Sequence, residues 1–509
     1  MTYAHRLRAV YQANSTNKNC KLWLSFLPAG ITALLAAAAG IAHAQSGTPD
    51  LTFGTNGRVT TNFATAFDEA FGVAIQPDGK IVAVGSSNAP VANGDLNFAV
   101  VRYNPDGSLD TTFGLPGVLT TFRTDVPTDD PAEPTRRSAD GARALAIQAD
   151  GKIVVAGFSD APNGDSNFAL VRYNSDGGVD TTFGDNSIFP GTTLLDFRDG
   201  FIDEARAIAL QPDGKIVVAG FSTAPTGVDG NFALVRYNAN GTLDTTFGDN
   251  SIFPGTVLTD FGNGSFDGAN AVAVLPDGQI VVAGTSDANG SQDFGLVRYS
   301  AASVPDTNFG INNRVLTNFR QLPDGDLSRD LVTAIAVQAD GRIVVAGKSN
   351  APNDDFNFAV ARYLSAGTAP DGTSLAGALD LTFAASTLNP GISLSDFDNR
   401  ALGDGTVERS HDEANAIAIQ TDGRVVAAGW SDAPLGVGNT NFALVRYGLN
   451  GVAITDFGTN NRVLTDFGGS TDRANAIAIQ PDGLIVVAGG SDSPVANGNF
   501  NFALVRYLP

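Results

Sequence analysis

The chain has 509 residues, a formal net charge of −22 and a single cysteine, Cys20. Such an acidic chain is poorly suited to bind nucleic acid or an anionic membrane surface, because phosphate contacts come from Lys and Arg. Gly (58) and Phe (32) are abundant and only 17% of residues are charged, which favours many short strands joined by turns over long helices.

Residues 1–44 differ from the rest of the chain. They contain four basic residues and no acid, with a largely apolar stretch at 22–41 and the tripeptide AHA at 42–44. This order predicts a secretory signal peptide that is cleaved after Ala44. Since the apolar stretch is nearly long enough to span a bilayer, an uncleaved anchor is the alternative. We expect a secreted, periplasmic or cell-envelope protein with no membrane span after cleavage.

A sevenfold repeat occupies the remainder, 45–509. An Asp-Gly turn followed by an apolar run recurs at Asp78, Asp150, Asp213, Asp277, Asp340, Asp422 and Asp482. In the third unit, the runs 205–211 and 215–222 flank the turn and predict a β-hairpin, and NFALVRY (231–237) and TVLTDF (256–261) predict two more strands. Four strands repeated seven times predict an all-β fold, a seven-bladed β-propeller of four-stranded antiparallel blades.

The two ends of the repeat are complementary. Residues 50–63 correspond to a fourth strand alone, and residues 502–509 correspond to a third strand without its successor. We therefore expect the N-terminal strand to complete the last blade and close the ring, which leaves no strand edge open for pairing with other chains.

The motifs LDTTFG, IAIQPDG with IVVAG, and NFALVRYN resemble the delta-60 repeat, a bacterial propeller family, over residues 50–509. The blade layout is also similar to that of NHL repeat propellers. The resemblance implies a secreted or surface protein and carries no catalytic motif.

An aspartate begins the predicted first strand of every unit. Since first strands line the channel of a propeller, these acids would ring one channel mouth and could bind a cation such as Ca²⁺ through oxygen ligands. The alternative is that each accepts hydrogen bonds from its own loop or pairs with an arginine that recurs in every third strand. The ring acids are Asp68, Asp140, Asp203, Asp267, Asp330, Asp412 and Asp472, and the arginines are Arg102, Arg172, Arg236, Arg298, Arg362, Arg446 and Arg506.

Three residues after each ring acid, the residue type differs between units. Positions that are the same in every blade serve the shared packing problem, whereas positions that differ are where a specific ligand site can arise. We predict ligand contacts at Phe71, Arg143, Arg206, Asn270, Thr333, Asn415 and Asn475.

Nucleophilic or zinc-dependent catalysis is poorly supported. After signal cleavage the only histidine is His411, and no Gly-x-Ser-x-Gly motif is present. We expect His411 to be a surface residue and Trp430 to pack in the core or at the base of a loop.

These observations favour a non-enzymatic secreted binding propeller with an acidic channel face. It would be monomeric and bind a protein or small-molecule ligand, with no cofactor beyond a possible Ca²⁺. The alternative is a metal-dependent hydrolase or lactonase with carboxylate and Asn ligands in the channel.

Overall fold

The computed structural model describes residues 45–63, 67–88, 96–114, 139–160, 165–184, 190–197, 201–224, 227, 229–248, 253–262, 264–319, 327–351, 354–369, 373–385, 387, 389–401, 407–434, 438–469, 471–493 and 499–509. Within these ranges the chain forms strands and turns and no helix, so it contains no helix that could span a membrane. The predicted signal peptide lies outside the described residues.

The described residues form 29 strands. A single strand, β1 (Arg58–Thr61), precedes blade 1. Blade 1 contains β2 (Asp68–Ile75), β3 (Ile81–Ser87) and β4 (Asn97–Tyr103), and blade 2 contains β5 (Asp140–Ile147), β6 (Ile153–Ser159), β7 (Asn167–Tyr173) and β8 (Thr192–Leu195). Blade 3 contains β9 (Asp203–Leu210), β10 (Ile216–Ser222), β11 (Asn231–Tyr237) and β12 (Thr256–Thr259). Blades 4 and 5 contain β13 (Asp267–Val274), β14 (Ile280–Ser286), β15 (Asp293–Tyr299), β16 (Arg314–Thr317); and β17 (Asp330–Val337), β18 (Ile343–Ser349), β19 (Asn357–Tyr363), β20 (Ile392–Ser395). A small hairpin of β21 (Asn399–Ala401) and β22 (Val407–Arg409) precedes blades 6 and 7, which contain β23 (Asp412–Ile419), β24 (Val425–Ser431), β25 (Asn441–Tyr447), β26 (Arg462–Thr465); and β27 (Asp472–Ile479), β28 (Ile485–Ser491), β29 (Asn501–Tyr507).

The sheet order confirms a seven-bladed propeller of antiparallel blades. Blades 2 to 6 each form a four-stranded sheet in simple sequential order, and three strands of blade 1 are described. In blade 7, β1 pairs antiparallel with β29, so that the order is β1-β29-β28-β27. The N-terminal strand therefore closes the ring, as predicted.

The hydrophobic cores lie between neighbouring blades. Val217 of blade 3, for example, packs in one cluster with Val272 and Val282 of blade 4. The third-strand tyrosines cross the same interfaces: the Tyr103 hydroxyl in blade 1 lies 2.7 Å from Thr61 Oγ1 in blade 7. Because each blade buries its faces only against its neighbours, the ring is stabilised as a whole.

A candidate binding site in the central channel

Every first strand contains one extra residue relative to the second strand. In β9, for instance, Ala207 and Ala205 pair with consecutive residues of β10, which leaves Arg206 as the extra residue. The same register shift occurs in all seven blades, and the extra residues are Phe71, Arg143, Arg206, Asn270, Thr333, Asn415 and Asn475. A β-bulge bends its strand and re-aims a side chain, so each blade presents its variable residue on a bulge.

A glycine in the second strand makes room for each bulge. A Cβ atom added to Gly220 would lie 1.9 Å from the carbonyl oxygen of Glu204, so no side chain fits there. The glycines in the same position of the other blades are equally crowded, at 1.8–2.1 Å, and they are Gly85, Gly157, Gly284, Gly347, Gly429 and Gly489. The bulge was not predicted from the sequence, although the glycine of the IVVAG motif is its signal.

All seven bulge residues line one central cavity of about 220 Å³. The structure therefore brings together the complete set of residues predicted to contact a ligand. The cavity is smaller than the roughly 300–1,000 Å³ typical of sites for drug-sized molecules.

Arg143 is held in place by residues of blades 1 to 3. Its Nε donates to Glu204 Oε1 at 2.9 Å, and its guanidinium carbon lies 4.8 Å from the ring centre of Phe71 and 5.0 Å from that of Phe158. Gly141 leaves space for Phe158, because an added Cβ would approach the ring to 2.4 Å. Within the described part of the chain, the two terminal nitrogens of Arg143 have no hydrogen-bond partner, and the side chain is 29% exposed.

Arg206 takes the equivalent position in blade 3. Its Nη2 lies 3.2 Å from Glu204 Oε2, its Nη1 donates to Asn270 Oδ1 at 2.9 Å, and its guanidinium carbon lies 4.3 Å from the ring centre of Phe221. Two guanidinium groups thus share the Glu204 carboxylate, and Arg143 also interacts electrostatically with Glu69.

From blade 4 to blade 7, the cavity is lined by neutral polar side chains that bond to the next blade. The donor–acceptor distances are 2.7 Å for Asn270 Nδ2 to Val332 O, 2.7 Å for Thr333 Oγ1 to Ala414 O, 2.9 Å for Asn415 Nδ2 to Ala474 O and 2.9 Å for Asn475 Nδ2 to Ala70 O. Each acceptor is the residue before the next bulge. In Asn415 and Asn475 these bonds use the amide donors, so the amide oxygens retain acceptor capacity; that of Asn475 has only a long contact, 3.4 Å from Asn415 Nδ2.

Aromatic and charged side chains form a rim stack where the first strands of blades 6 and 7 begin. His411 stacks parallel to Trp430 with ring centres 5.2 Å apart, Phe356 lies 5.2 Å from His411, and Arg473 lies 5.5 Å from the Trp430 ring centre. His411 Nε2 is 3.0 Å from Glu413 Oε1. Trp430 therefore packs against a residue at the base of a loop. Described side chains around the channel carry both signs of charge.

The ring acids are fully buried within their own blades, and they are Asp68, Asp140, Asp203, Asp267, Asp330, Asp412 and Asp472. Asp412 shows the contacts: its Oδ2 accepts from the Phe397 backbone N–H at 2.9 Å and from Ser410 Oγ at 3.0 Å. These bonds support the interpretation that the acids anchor the loop from the preceding blade. A calcium role for the ring stays a prediction, and the described residues include no cluster of three or more His, Cys, Asp or Glu placed to hold a metal.

Burial changes the acidity of these groups. Desolvation raises the pKa of Asp412 to about 7, against the opposing effect of hydrogen bonds from Ser431 and the Phe397 backbone. The same cause raises the pKa of Asp203 and of Asp330 to about 6. Near neutral pH these carboxyl groups are partly protonated, which reduces the negative charge of the ring.

The repeated arginines pair with a different set of acids, so of the two alternatives to a cation site, hydrogen bonds from the loop and pairing with these arginines, the pairing does not occur. Arg236 Nε lies 2.8 Å from Asp244 Oδ2, and Lys215 Nζ lies 2.9 Å from the same oxygen. These partners belong to the LDTTFG motif at the other end of the blade, and the equivalent pairs are Arg102–Asp110, Arg172–Asp180, Arg298–Asp306, Arg362–Asp380 and Arg506–Asp50.

Blade 6 departs from this pattern. Ile454 replaces the aspartate, and Arg446 instead contacts Asp456, which is 64% exposed, at 2.9 Å. The Nε of Arg446 is buried without a hydrogen-bond partner.

Fold and site together define a class: a β-propeller whose blades share one scaffold and present different residues to a central cavity. Its repeats match the family described as "Domain of unknown function (DUF5122) beta-propeller" at residues 76–113, 148–183, 211–247, 275–309, 338–369, 420–453 and 480–509. The chain belongs to this repeat family, which agrees with the delta-60 resemblance. No curated protein matches the sequence.

Solved structures with a similar fold are distant. Polysaccharide lyase Uly1 is 11% identical with a TM-score of 0.42, covering 94% of this chain and 95% of its own. A protein of unknown function from Dyadobacter fermentans is 13% identical with a TM-score of 0.39, covering 72% and 95%. Sqt1 from Chaetomium thermophilum is 13% identical with a TM-score of 0.38, covering 89% and 100%. Likenesses this weak carry no argument about function.

Proposed function

We propose that this protein is a non-enzymatic binding propeller that is exported to the cell envelope or secreted, and that its ligand contacts the central cavity and the rim stack. One observation carries the proposal: the seven bulge residues, which differ in type from blade to blade, all line a single cavity.

The contacts in the cavity suit binding by hydrogen bonds and charge. Arg143 offers guanidinium donors, and the Asn side chains offer amide acceptors. The composition of the chain favours an acidic contact face. We propose a contact face of mixed charge instead, since Arg143 and Arg206 contact Glu204, and Arg473 interacts electrostatically with Glu69.

The experiment replaces the two cavity arginines with a residue that other blades already carry at the bulge position. In an R143N/R206N variant, two blades receive the Asn that blades 4, 6 and 7 carry at the same position. Thermal-shift screening of small molecules and glycans should find compounds that stabilise the wild type and not this variant. If every compound that binds the wild type binds the R143N/R206N variant equally well, the cavity is not the binding site.

Two further measurements address export and the enzymatic alternative. Mass spectrometry of exported protein should find Gln45 as the first residue. Turnover of an ester and lactone panel with added Ca²⁺ or Zn²⁺, abolished by N415L, would establish the hydrolase instead of the binding module.

A further inference from the structure

Building on the proposed function, we infer that the cavity binds a small zwitterion, an amino acid in chemical class, with its carboxylate on Arg143 and its ammonium group on the amide oxygens across the channel. The polarity of the seven bulge residues around the ring and the size of the cavity both point to this class of ligand.

The anion-binding half is built around Arg143. Its Nε is engaged by Glu204, and its guanidinium group lies over Phe71 and Phe158, so the orientation of the plane is set. The two terminal nitrogens have no hydrogen-bond partner among the described residues, and the side chain lines the cavity. A guanidinium edge with two free donors matches the two oxygens of a carboxylate.

Arg143 is the arginine of this half with donors to spare. Glu204 is shared by Arg143 and Arg206, with Nε–Oε1 and Nη2–Oε2 distances of 2.9 Å and 3.2 Å, and Glu69 also interacts electrostatically with Arg143. Arg206 has its remaining contact to Asn270, whereas the terminal nitrogens of Arg143 keep their donors for a ligand.

The cation-binding half lies in blades 6 and 7, across the ring from blades 2 and 3. Asn415 and Asn475 donate through Nδ2 to the backbone of the next blade, which leaves their Oδ1 atoms with acceptor capacity. Asn475 Nδ2 also lies 2.9 Å from Glu69 Oε1, and this carboxylate interacts electrostatically with Arg473 and Arg143. The amide oxygens of Asn415 and Asn475 are therefore the acceptors available to an ammonium group.

The volume of the cavity suits a small ligand. At about 220 Å³ it is below the size of typical drug-sized sites, which is consistent with a short aliphatic chain between the two charged groups. Phe71 and the alanines and valines beside the bulges supply the apolar part of the lining.

The test is isothermal titration calorimetry of the full chain with glycine, β-alanine, 4-aminobutyrate and 5-aminovalerate. Butyrate and butylamine serve as the probes that lack one charge. We expect one length of amino acid to bind best, with butyrate and butylamine each at least about tenfold weaker than the best amino acid, since a hydrogen-bonded charge contributes about 1.5–3 kcal/mol.

Variants assign the two halves. R143Q should weaken the best amino acid and butyrate by at least about tenfold, whereas N415L should weaken the amino acid and leave butyrate unchanged. R424Q, which removes an exposed arginine in a turn of blade 6 that does not line the cavity, is the matched control and should bind like the wild type. Circular dichroism melts would show that R143Q is folded.

Three results would overturn the inference: no amino acid binds, butyrate binds as tightly as its amino counterpart, or R143Q binds unchanged. If no amino acid binds while another compound stabilises the wild type and not R143N/R206N, the binding module stands and only the ligand class is wrong.

Discussion

The arginine–aspartate pairs of the blades and the bulge residues around the channel follow opposite rules. In six of the seven blades, the third-strand arginine pairs with the aspartate at the same motif position, as in Arg236 and Asp244, and Arg236 also bonds to a backbone carbonyl of the next blade. Around the channel, the bulge position holds four different types of polar or aromatic side chain and lines the cavity. Repetition within one chain therefore separates the residues that serve folding from those available for binding.

Arginine occurs in both regions, which makes the comparison direct. Arg236 is 5% exposed, and its Nη1 also bonds to the Ala301 carbonyl of the next blade. Arg206 in the same blade is 29% exposed at its side chain and contacts other cavity residues. One residue type therefore serves the scaffold or the site, depending on burial and partners.

The most severe loss is expected where the bulge meets its glycine. G220A places a Cβ 1.9 Å from the Glu204 carbonyl oxygen, so the backbone must shift and blade 3 should lose its bulge. We expect the variant to be insoluble or to melt far below the wild type. G178A, which meets only the Asp176 side chain at 3.3 Å, is the control for a glycine in a turn. Near-normal melting of G220A would show that the bulge is dispensable.

The two arginines of blade 3 give the second test. R236Q removes the buried guanidinium group from Asp244, which keeps Lys215 as its ion-pair partner, and should lower the free energy of unfolding by about 1.5–3 kcal/mol. R206Q should cost about 1 kcal/mol or less, because its site is open to solvent. Urea unfolding of both proteins measures the difference. Equal losses would contradict the division between scaffold and site.

The third test uses the ring acids. Burial raises the pKa of Asp412 to about 7 from the ordinary 3.8, so the folded protein retains a proton that the unfolded chain releases. The contribution of protonated Asp412 is fully present below about pH 4 and is lost as the pH rises through about 7. One pKa unit corresponds to about 1.4 kcal/mol, so the loss is on the order of a few kcal/mol.

D412N should therefore flatten the fall in unfolding free energy between about pH 4 and 7, the window between the unfolded and folded pKa values. D422N, at an exposed turn of the same blade, is the control and should keep the wild-type slope. If both variants show that slope, Asp412 does not titrate in this range and the ring remains charged.

The last and smallest change should be a gain in stability. I454D restores the acid that the other blades place beside the third-strand arginine, and it gives Arg446 Nε a partner. We expect an increase of about 1 kcal/mol in unfolding free energy, because the arginine is already buried. I454N, which has a similar shape and no charge, should not stabilise. A loss in I454D would mean that blade 6 is adapted to Ile454.

Much of the fold was predictable because the same turn and strand patterns recur in all seven units. The Asp-Gly turns, the alternating strands and the spare strand at 50–63 specify hairpins, blades and closure by local rules. The candidate cavity residues were predictable for a related reason, since comparing units showed where they differ. Two features were missed: the bulge itself, and the role of Glu204 and Glu69, which lie one residue after a ring acid.

The number of blades, the closure by β1 and the positions that vary all follow from the sequence alone, because they depend on periodicity and on strand order. The partners of the repeated arginines and the burial of the ring acids are set by the assembled ring. The assembled ring also sets the position of the Arg143 guanidinium group, which keeps free donors across the channel from the amide acceptors. Pairing, burial and charge balance depend on distances between blades, and residues about 60 or more apart in the chain carry no local pattern that records them.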